Sequence, residues 1–298
     1  MSATLLLVHI IGTIALMLWG MRMVRTGVER AAGDSLGRRL ESWTRNRVVA
    51  CLSGIVATLA LQSSTATAIL INGFVVRNAV STSAALAVIL GADIGTTLVA
   101  AILSFDLSMV APFLIAAGFI GHSSSEQTAI RQYSRAAMGL GVVLLALQLL
   151  RSHTSALTDS DVLPVIVTAL ADEPVIAVIV FALTTWLLHS SLAAVLFTAS
   201  LAASGLIDRE LTLLLVLGAN LGAGFPVFSS TAGQDARQRR APLGNIIFRS
   251  IGVVVALILL EQIVLYSALL SLDPVQYTIA MHIAFNVLLA LAFLPMTS

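Results

Sequence analysis

Apolar runs alternate with short polar clusters along nearly the whole chain, and the length of each run predicts its role. Residues 3–21 are apolar, end in Trp19-Gly20-Met21-Arg22, and are long enough to span a bilayer. Residues 22–47 are polar, yet Met23, Val28, Leu36, Leu40 and Trp43 recur through them, which predicts an amphipathic helix on the membrane surface. Residues 48–61 form an apolar run of only 14 residues, too short to span upright. A polar cluster, Gln62-Ser63-Ser64-Thr65-Ala66-Thr67, and a second short apolar run to Val76 follow. Short, polar, short is the pattern of a re-entrant hairpin over 48–76. Residues 79–103 read as a span broken at 91–95, residues 109–121 as a further span, and 122–135 as a polar loop.

The second half repeats this order. Residues 136–150 predict a span, 174–203 a hairpin around His189, 211–230 a span broken at 218–224, and 243–263 and 276–294 two more. Gln62-Ser63-Ser64 is answered by His189-Ser190-Ser191, and Gly91-Ala92-Asp93-Ile94-Gly95 by Gly218-Ala219-Asn220-Leu221-Gly222, both at an offset of 127 residues without a gap. Each unit has an odd number of crossings, so the copies have opposite orientation. The expected fold is an all-α integral membrane protein, an inverted-topology repeat transporter with two re-entrant helical hairpins and broken transmembrane helices. The units are 1–135 and 136–270, with an extra helix over 271–298. Paired interrupted segments of this kind point to a transporter's binding site.

Composition agrees and removes other classes. Of 298 residues, 58% are hydrophobic and 10% charged, far below the roughly 25% charged of a soluble domain, and the mean hydropathy is +0.99. The N-terminus lacks a basic region and a small-residue cleavage site, so residues 3–21 are expected to be a retained helix and not a signal peptide. The lone Cys51 excludes an internal disulfide, no Walker loop or GxSxG elbow is present, and the histidines lack metal-site spacing.

All sixteen basic residues are arginine. On this topology one face takes Arg22, 25, 30, 38, 39, 45, 47, 77, 131, 135, 237, 239, 240 and 249, and the other only Arg151 and Arg209. The second face takes the acids Asp159, Asp161, Asp172, Glu173, Asp208, Glu210, Glu261 and Asp273. The positive-inside rule puts the first face in the cytoplasm, the N-terminus outside and the C-terminus inside, in a bacterial cytoplasmic membrane. The arginines of 22–47 read as a topology signal and not a nucleic-acid patch.

A half-helix that begins at membrane depth aims free backbone N–H groups and a positive dipole end into the protein. Two such tips would suit an oxyanion such as phosphate, with Gln62, Ser63, Ser64, His189, Ser190 and Ser191 as neutral donors. Broken spans would free carbonyls that, beside hydroxyls, could ligate Na⁺. Asp93 reads either as an ion ligand or as the N-cap of a half-helix starting near Gly95. Asn72, Thr67 and Asn220 are further candidates. His282 and Asn286, four apart on one helix face, suit either a ligand role or an interhelical bond.

The paired Gln-Ser-Ser and Gly-Ala-(Asp/Asn)-x-Gly-Thr-Thr motifs resemble the sodium-dependent phosphate cotransporter family, the type II Na⁺/phosphate symporters and their bacterial relatives. Leu18-Trp19-Gly20-Met21-Arg22-Met23, Gly139-Leu140-Gly141 and His282-Ile283-Ala284-Phe285-Asn286 extend the resemblance over nearly the whole chain. It implies a secondary carrier, not an enzyme, that couples phosphate to Na⁺. Phosphate would lie at the hairpin residues, and Na⁺ at Thr65, Asp93, Thr96, Thr97 and Asn220. There would be no other metal or cofactor and no nucleic acid; a homodimer is an option. Bacterial relatives often carry a soluble helical domain after the last span, which a chain ending at Ser298 is expected to lack. The second repeat departs from the pattern: His189 replaces Gln, Leu192 replaces a hydroxyl residue, and Gly222-Ala223-Gly224 replaces Gly-Thr-Thr, while Asp93 stands for the usual Asn. An ionisable His at a tip opens proton linkage. The alternatives are a phosphate exporter or a carrier of another small oxyanion on the same fold. More remote is an intramembrane hydrolase prompted by His189 beside Ser190.

Overall fold

The computed structural model describes residues 3–297 apart from 106, 108 and 160–162, and every regular element among them is helical. Asp161, placed above on the outer face, lies outside the described residues, as do the side chains of Arg38, Arg39, Arg45 and Asp159. The helices are α1 Ala3–Ser42, α2 Arg47–Leu61, α3 Ser64–Val76, α4 Thr82–Ser104, α5 Val110–Ser124, α6 Thr128–Ser155 and α7 Leu163–Ala171. They continue as α8 Pro174–Leu188, α9 Ser191–Ala203, α10 Arg209–Gly222, α11 Phe225–Ser229, α12 Ala236–Ile258, α13 Leu260–Ala268 and α14 Pro274–Phe293. Among the described residues, six stretches are long and apolar enough to cross a membrane: Thr4–Ala32, Thr82–Ser104, Thr128–Ser155, Arg209–Ser229, Ala236–Ile258 and Pro274–Met296. The protein is an all-α, multi-pass membrane protein.

Both hairpins form where the run lengths predict them. Every helix bound of the second lies 127 residues beyond its counterpart in the first: Arg47 and Pro174, Leu61 and Leu188, Ser64 and Ser191, Val76 and Ala203. Each first arm is stopped by a residue in the left-handed region, Gln62 (φ 51°) and His189 (φ 53°). Each second arm is started by an extended serine whose Oγ accepts a backbone N–H, Ala66 N for Ser63 and Ala193 N for Ser190. α4 and α6 are long enough to cross and α5, at 15 residues, is shorter; the expected inversion needs α5 to cross as well, which would open the hairpins on opposite faces.

Several expectations change. The break at Arg22 is absent: α1 is one helix of 40 residues, about 60 Å long at 1.5 Å per residue. Nothing in 22–42 breaks a helix, since no proline occurs there, and the segment is not a separate surface helix. The polar loop expected over 122–135 shrinks to the three residues between α5 and α6, so the boundary at 135 falls inside α6. The last but one span divides at Leu259 into α12 and α13, and α7 fills a stretch the pattern left unassigned.

The largest difference lies in the glycine motifs. α4 is unbroken through 91–95, whereas α10 ends at Gly222 and a turn leads into α11. In both repeats the glycines serve close packing of the hairpin's first arm. A Cβ on Gly91 would collide with the Cys51 carbonyl of α2, and one on Gly218 would lie 2.7 Å from the Val178 carbonyl of α8. Cys51 and Val178 are themselves repeat equivalents. Four residues on, a Cβ at Gly95 would lie 2.7 Å from Thr58 Cβ, and one at Gly222 2.8 Å from Thr185 Cβ. α4 and the α10–α11 span form the centre: 72% and 83% of their apolar windows are buried, against 28–39% for the other four.

Gly91→Ala is therefore expected to destabilise by about 1–3 kcal/mol through overpacking. Gly73→Ala, with open space around it, should not. Thermal unfolding of the purified variants in detergent measures the difference; equal midpoints would remove the close-packing account. Cysteines placed in a Cys51→Ala background at Ser124 and Gln238 should react with impermeant maleimide from one face, and a cysteine at Asp273 from the other. A shared face for all three would break the crossing count.

Candidate functional site

The two tips meet. Gln62 and Ser63 of the first hairpin and Leu188, His189 and Ser190 of the second line one cavity of about 270 Å³. Its remaining wall is α1, through Leu18, Met21, Arg22 and Arg25. Typical drug-sized sites occupy about 300–1,000 Å³, so this cavity suits a small solute. Gln62 and His189 hold positive φ without being glycine, a conformation that costs free energy and persists only when the surroundings fix it. It turns the chain within two residues, which lets α3 and α9 begin at membrane depth.

At each tip the serine Oγ accepts the capping N–H at 3.1 Å, leaving its proton to donate elsewhere. Ser190 Oγ points that proton toward Met21 Sδ at 3.7 Å, a weak acceptor that a better one could replace. His189 is exposed, with Nδ1 3.1 Å from the Leu187 carbonyl oxygen, leaving Nε2 as the free end of the ring. Gln62 Oε1 is buried and has no hydrogen-bond partner among the described residues.

Arg22 and Arg25 line the cavity and are candidates that the sequence reading does not include. They were read as part of a surface helix, whereas the unbroken α1 carries them past the tips. Arg22 is exposed; Arg25 is half-buried, with Nε 3.9 Å from Glu29 Oε1, a loose exposed pair that contributes little. No acid lines the cavity, so its lining is cationic. The signal available in sequence was their spacing of three, which places both on one helix face.

Ser64 and Ser191 are buried as the first residues of α3 and α9 and do not line the cavity. Thr65 is half-buried one residue deeper. Thr67 donates to the Ser63 carbonyl at 3.1 Å and accepts from Thr58 at 3.0 Å, tying the two arms together. Thr96 and Thr97 donate back into α4, to Ala92 O and Ile94 O. Asn72 is buried in α3, its Oδ1 without a partner among the described residues.

The other candidates gather in a second, fully buried cluster. Asp93 sits in mid-α4, so it caps no helix; its Oδ1 lies 2.6 Å from Nη2 of Arg249 on α12. Arg249 is therefore a buried mid-helix residue, not part of the arginine-rich face to which it was assigned. Arg249 Nη1 also donates to the Asn220 carbonyl. Asn220 Nδ2 donates to Val216 O at 2.8 Å and faces His282 Nδ1 at 3.1 Å, and its Oδ1 accepts from Asn286 Nδ2 at 2.7 Å. His282 and Asn286 thus make the interhelical bonds that one of the two readings expected.

One family model, described as Na⁺/Pi-cotransporter, matches the chain twice, over residues 16–152 and again over 155–293. The chain belongs to this family. Each match contains one hairpin, α2–α3 in the first and α8–α9 in the second. A Salmonella typhimurium protein named "Putative inorganic phosphate export protein YjbB" is 37% identical over 291 residues, 98% of this chain and 54% of that protein. Its Escherichia coli K12 namesake is 36% identical over the same shares. The chain thus spans about half the length of these relatives. A Bacillus subtilis protein, "Uncharacterized protein YqeW", is 26% identical over 99% of this chain and 95% of its own length. No solved structure matches.

The tip serines separate structural from anion-binding roles. Asp is as good an N-cap as Ser, whereas Ala costs about 1 kcal/mol. Ser63→Asp should keep the unfolding midpoint of the parent yet lose anion binding by placing a negative charge in the cavity. Ser63→Ala should lower the midpoint. Unaltered phosphate binding by Ser63→Asp in a scintillation proximity assay would remove this serine from the site.

Proposed function

We propose that the chain is a secondary carrier of inorganic phosphate in the cytoplasmic membrane, with the anion held between the hairpin tips and the arginines of α1. The observation that carries this reading is the cavity, where the tips of two hairpins and two arginines converge on a space for a small anion. Helix N-termini at Ser63 and Ser190 supply oriented dipoles, the serine hydroxyls and His189 supply donors, and Arg22 and Arg25 supply compensating charge. The unpartnered Gln62 Oε1 adds an acceptor. Phosphate at neutral pH keeps a P–OH proton to donate there, whereas sulfate has none.

Opening of one hairpin at a time would expose the cavity to one face and then the other, with the anion carried by rigid-body movement of the two units. The segregation of arginine supports the first hairpin opening to the cytoplasm, with the N-terminus outside. Na⁺ symport is the coupling that the family's description supports. The names of the YjbB relatives favour outward net flux as a second reading. A carrier runs down whichever combined gradient it is given, so both can hold.

In proteoliposomes, phosphate flux should be inhibited by arsenate and little affected by sulfate. Arg25→Gln should weaken apparent phosphate affinity about ten-fold or more, the loss of one charge-assisted hydrogen bond of about 1.5–3 kcal/mol. Replacing Na⁺ with choline tests the coupling separately: flux that stops supports symport, and unchanged flux removes Na⁺ while leaving the phosphate site standing. Equal inhibition by sulfate and arsenate would overturn the phosphate reading.

A further inference from the structure

The buried cluster around Arg249 has a shape that the phosphate cavity does not use. Asp93 and Asn220 occupy equivalent places in the two repeats, offset by 127 residues, and one side chain reaches both. Arg249 Nη2 faces the Asp93 carboxylate at 2.6 Å, and Nη1 faces the Asn220 backbone carbonyl. In the amide orientation of Asn245 that satisfies both neighbours, its oxygen accepts from Arg249 Nε at 3.3 Å and its nitrogen donates to Asp93 Oδ2 at 3.3 Å. The guanidinium is thus ringed by a carboxylate oxygen, a peptide oxygen and an amide oxygen, from α4, α10 and α12.

Without the guanidinium, this is a cation's environment. The Asn220 carbonyl belongs to the last turn of α10, which ends at Gly222, so it is one of the carbonyls that a helix leaves without an intrahelical partner. The negative end of the α10 dipole adds to the formal charge of Asp93, and both side chains of the ion pair are only 3–4% exposed. Carboxylate, carbonyl and amide oxygens at a helix C-terminal end are the ligands by which broken transmembrane helices hold a hard monovalent cation.

We propose that the Arg249 guanidinium is a tethered cation seated in a monovalent-cation site built from Asp93, Asn220 and Asn245. At this position the chain supplies its own positive charge, and no free ion binds there. The site assignment stands on the ion-pair geometry alone. Its consequence for transport, one coupling ion fewer per phosphate, rests on the carrier reading above. Any Na⁺ coupling of that carrier then uses other ligands.

The test is Na⁺ binding, read without phosphate. Thermal unfolding of purified full-length protein is compared in NaCl and in choline chloride at equal ionic strength. Arg249→Ser should acquire an upward, Na⁺-specific shift beyond whatever the parent shows, and should bind radioactive Na⁺ in a scintillation proximity assay. The neutral double variant Asp93→Asn/Arg249→Ser should lose that gain. Arg249→Lys, with a cation still on the stem, should respond as the parent does. Should Arg249→Ser be recovered folded only when purified in NaCl, that rescue supports the proposal. The proposal is overturned if Arg249→Ser gains no Na⁺ response, or if the gain persists in the double variant. It is also overturned if Arg249→Ser is lost in both salts while the double variant folds, because Na⁺ would then have failed to replace the guanidinium.

Discussion

Backbone polar groups at membrane depth must find partners inside the protein, since hydrocarbon offers none and each orphan costs several kcal/mol. At three places where its helices are interrupted, the molecule answers the need locally. At the two tips, a left-handed Gln62 or His189 turns the chain, and an extended serine accepts the N–H of the third residue of the next arm, Ala66 or Ala193. At the end of α10, Arg249 takes the Asn220 carbonyl. On the proposed site, the N–H groups that the tip serines leave over would attract the anion, so solvation of the breaks and recognition of the cargo would share one set of atoms.

The Gly-Ala-(Asp/Asn)-x-Gly motif then does two things at once because of helical geometry. Glycines four apart lie on one face and let α4 and α10 approach the carbonyls of α2 and α8. The residue between them, two positions from each, points to the other side of its helix, where Asp93 meets Arg249 and Asn220 meets Asn286. Each central helix therefore joins a hairpin arm on one side to the charged cluster on the other. This arrangement explains why polar residues were found in corresponding places in both halves, although they build two separate centres.

Much of this was legible in the sequence. The hairpins could be bounded nearly to the residue because an apolar run too short to span has few alternatives, and because Ser63 and Ser190 are strong helix starters just after it. The glycine motif was misread at α4 because glycine permits both unwinding and close approach, and only the facing carbonyl of Cys51, forty residues earlier, decides between them. Arg22 and Arg25 were misread because arginine has the same composition signal at a lipid headgroup and at a cavity wall. Their role depends on α1 continuing unbroken, which follows from the absence of a breaker rather than from any positive feature. Arg249 was grouped with the basic face because its partner, Asp93, is remote in the chain, and no local pattern links them.

The hairpins have arms of the same length, 15 residues leading in and 13 leading out. With the hairpins entering from opposite faces, as proposed, the tip cavity would lie at matching depth from the two solutions, near the middle of the field across the membrane. A charge moving from either side to the cavity crosses about half of the roughly 2.3 kcal/mol that 100 mV imposes on a full crossing. Membrane voltage would then divide its influence evenly between arrival and departure, so that neither half of the cycle alone carries the electrical work.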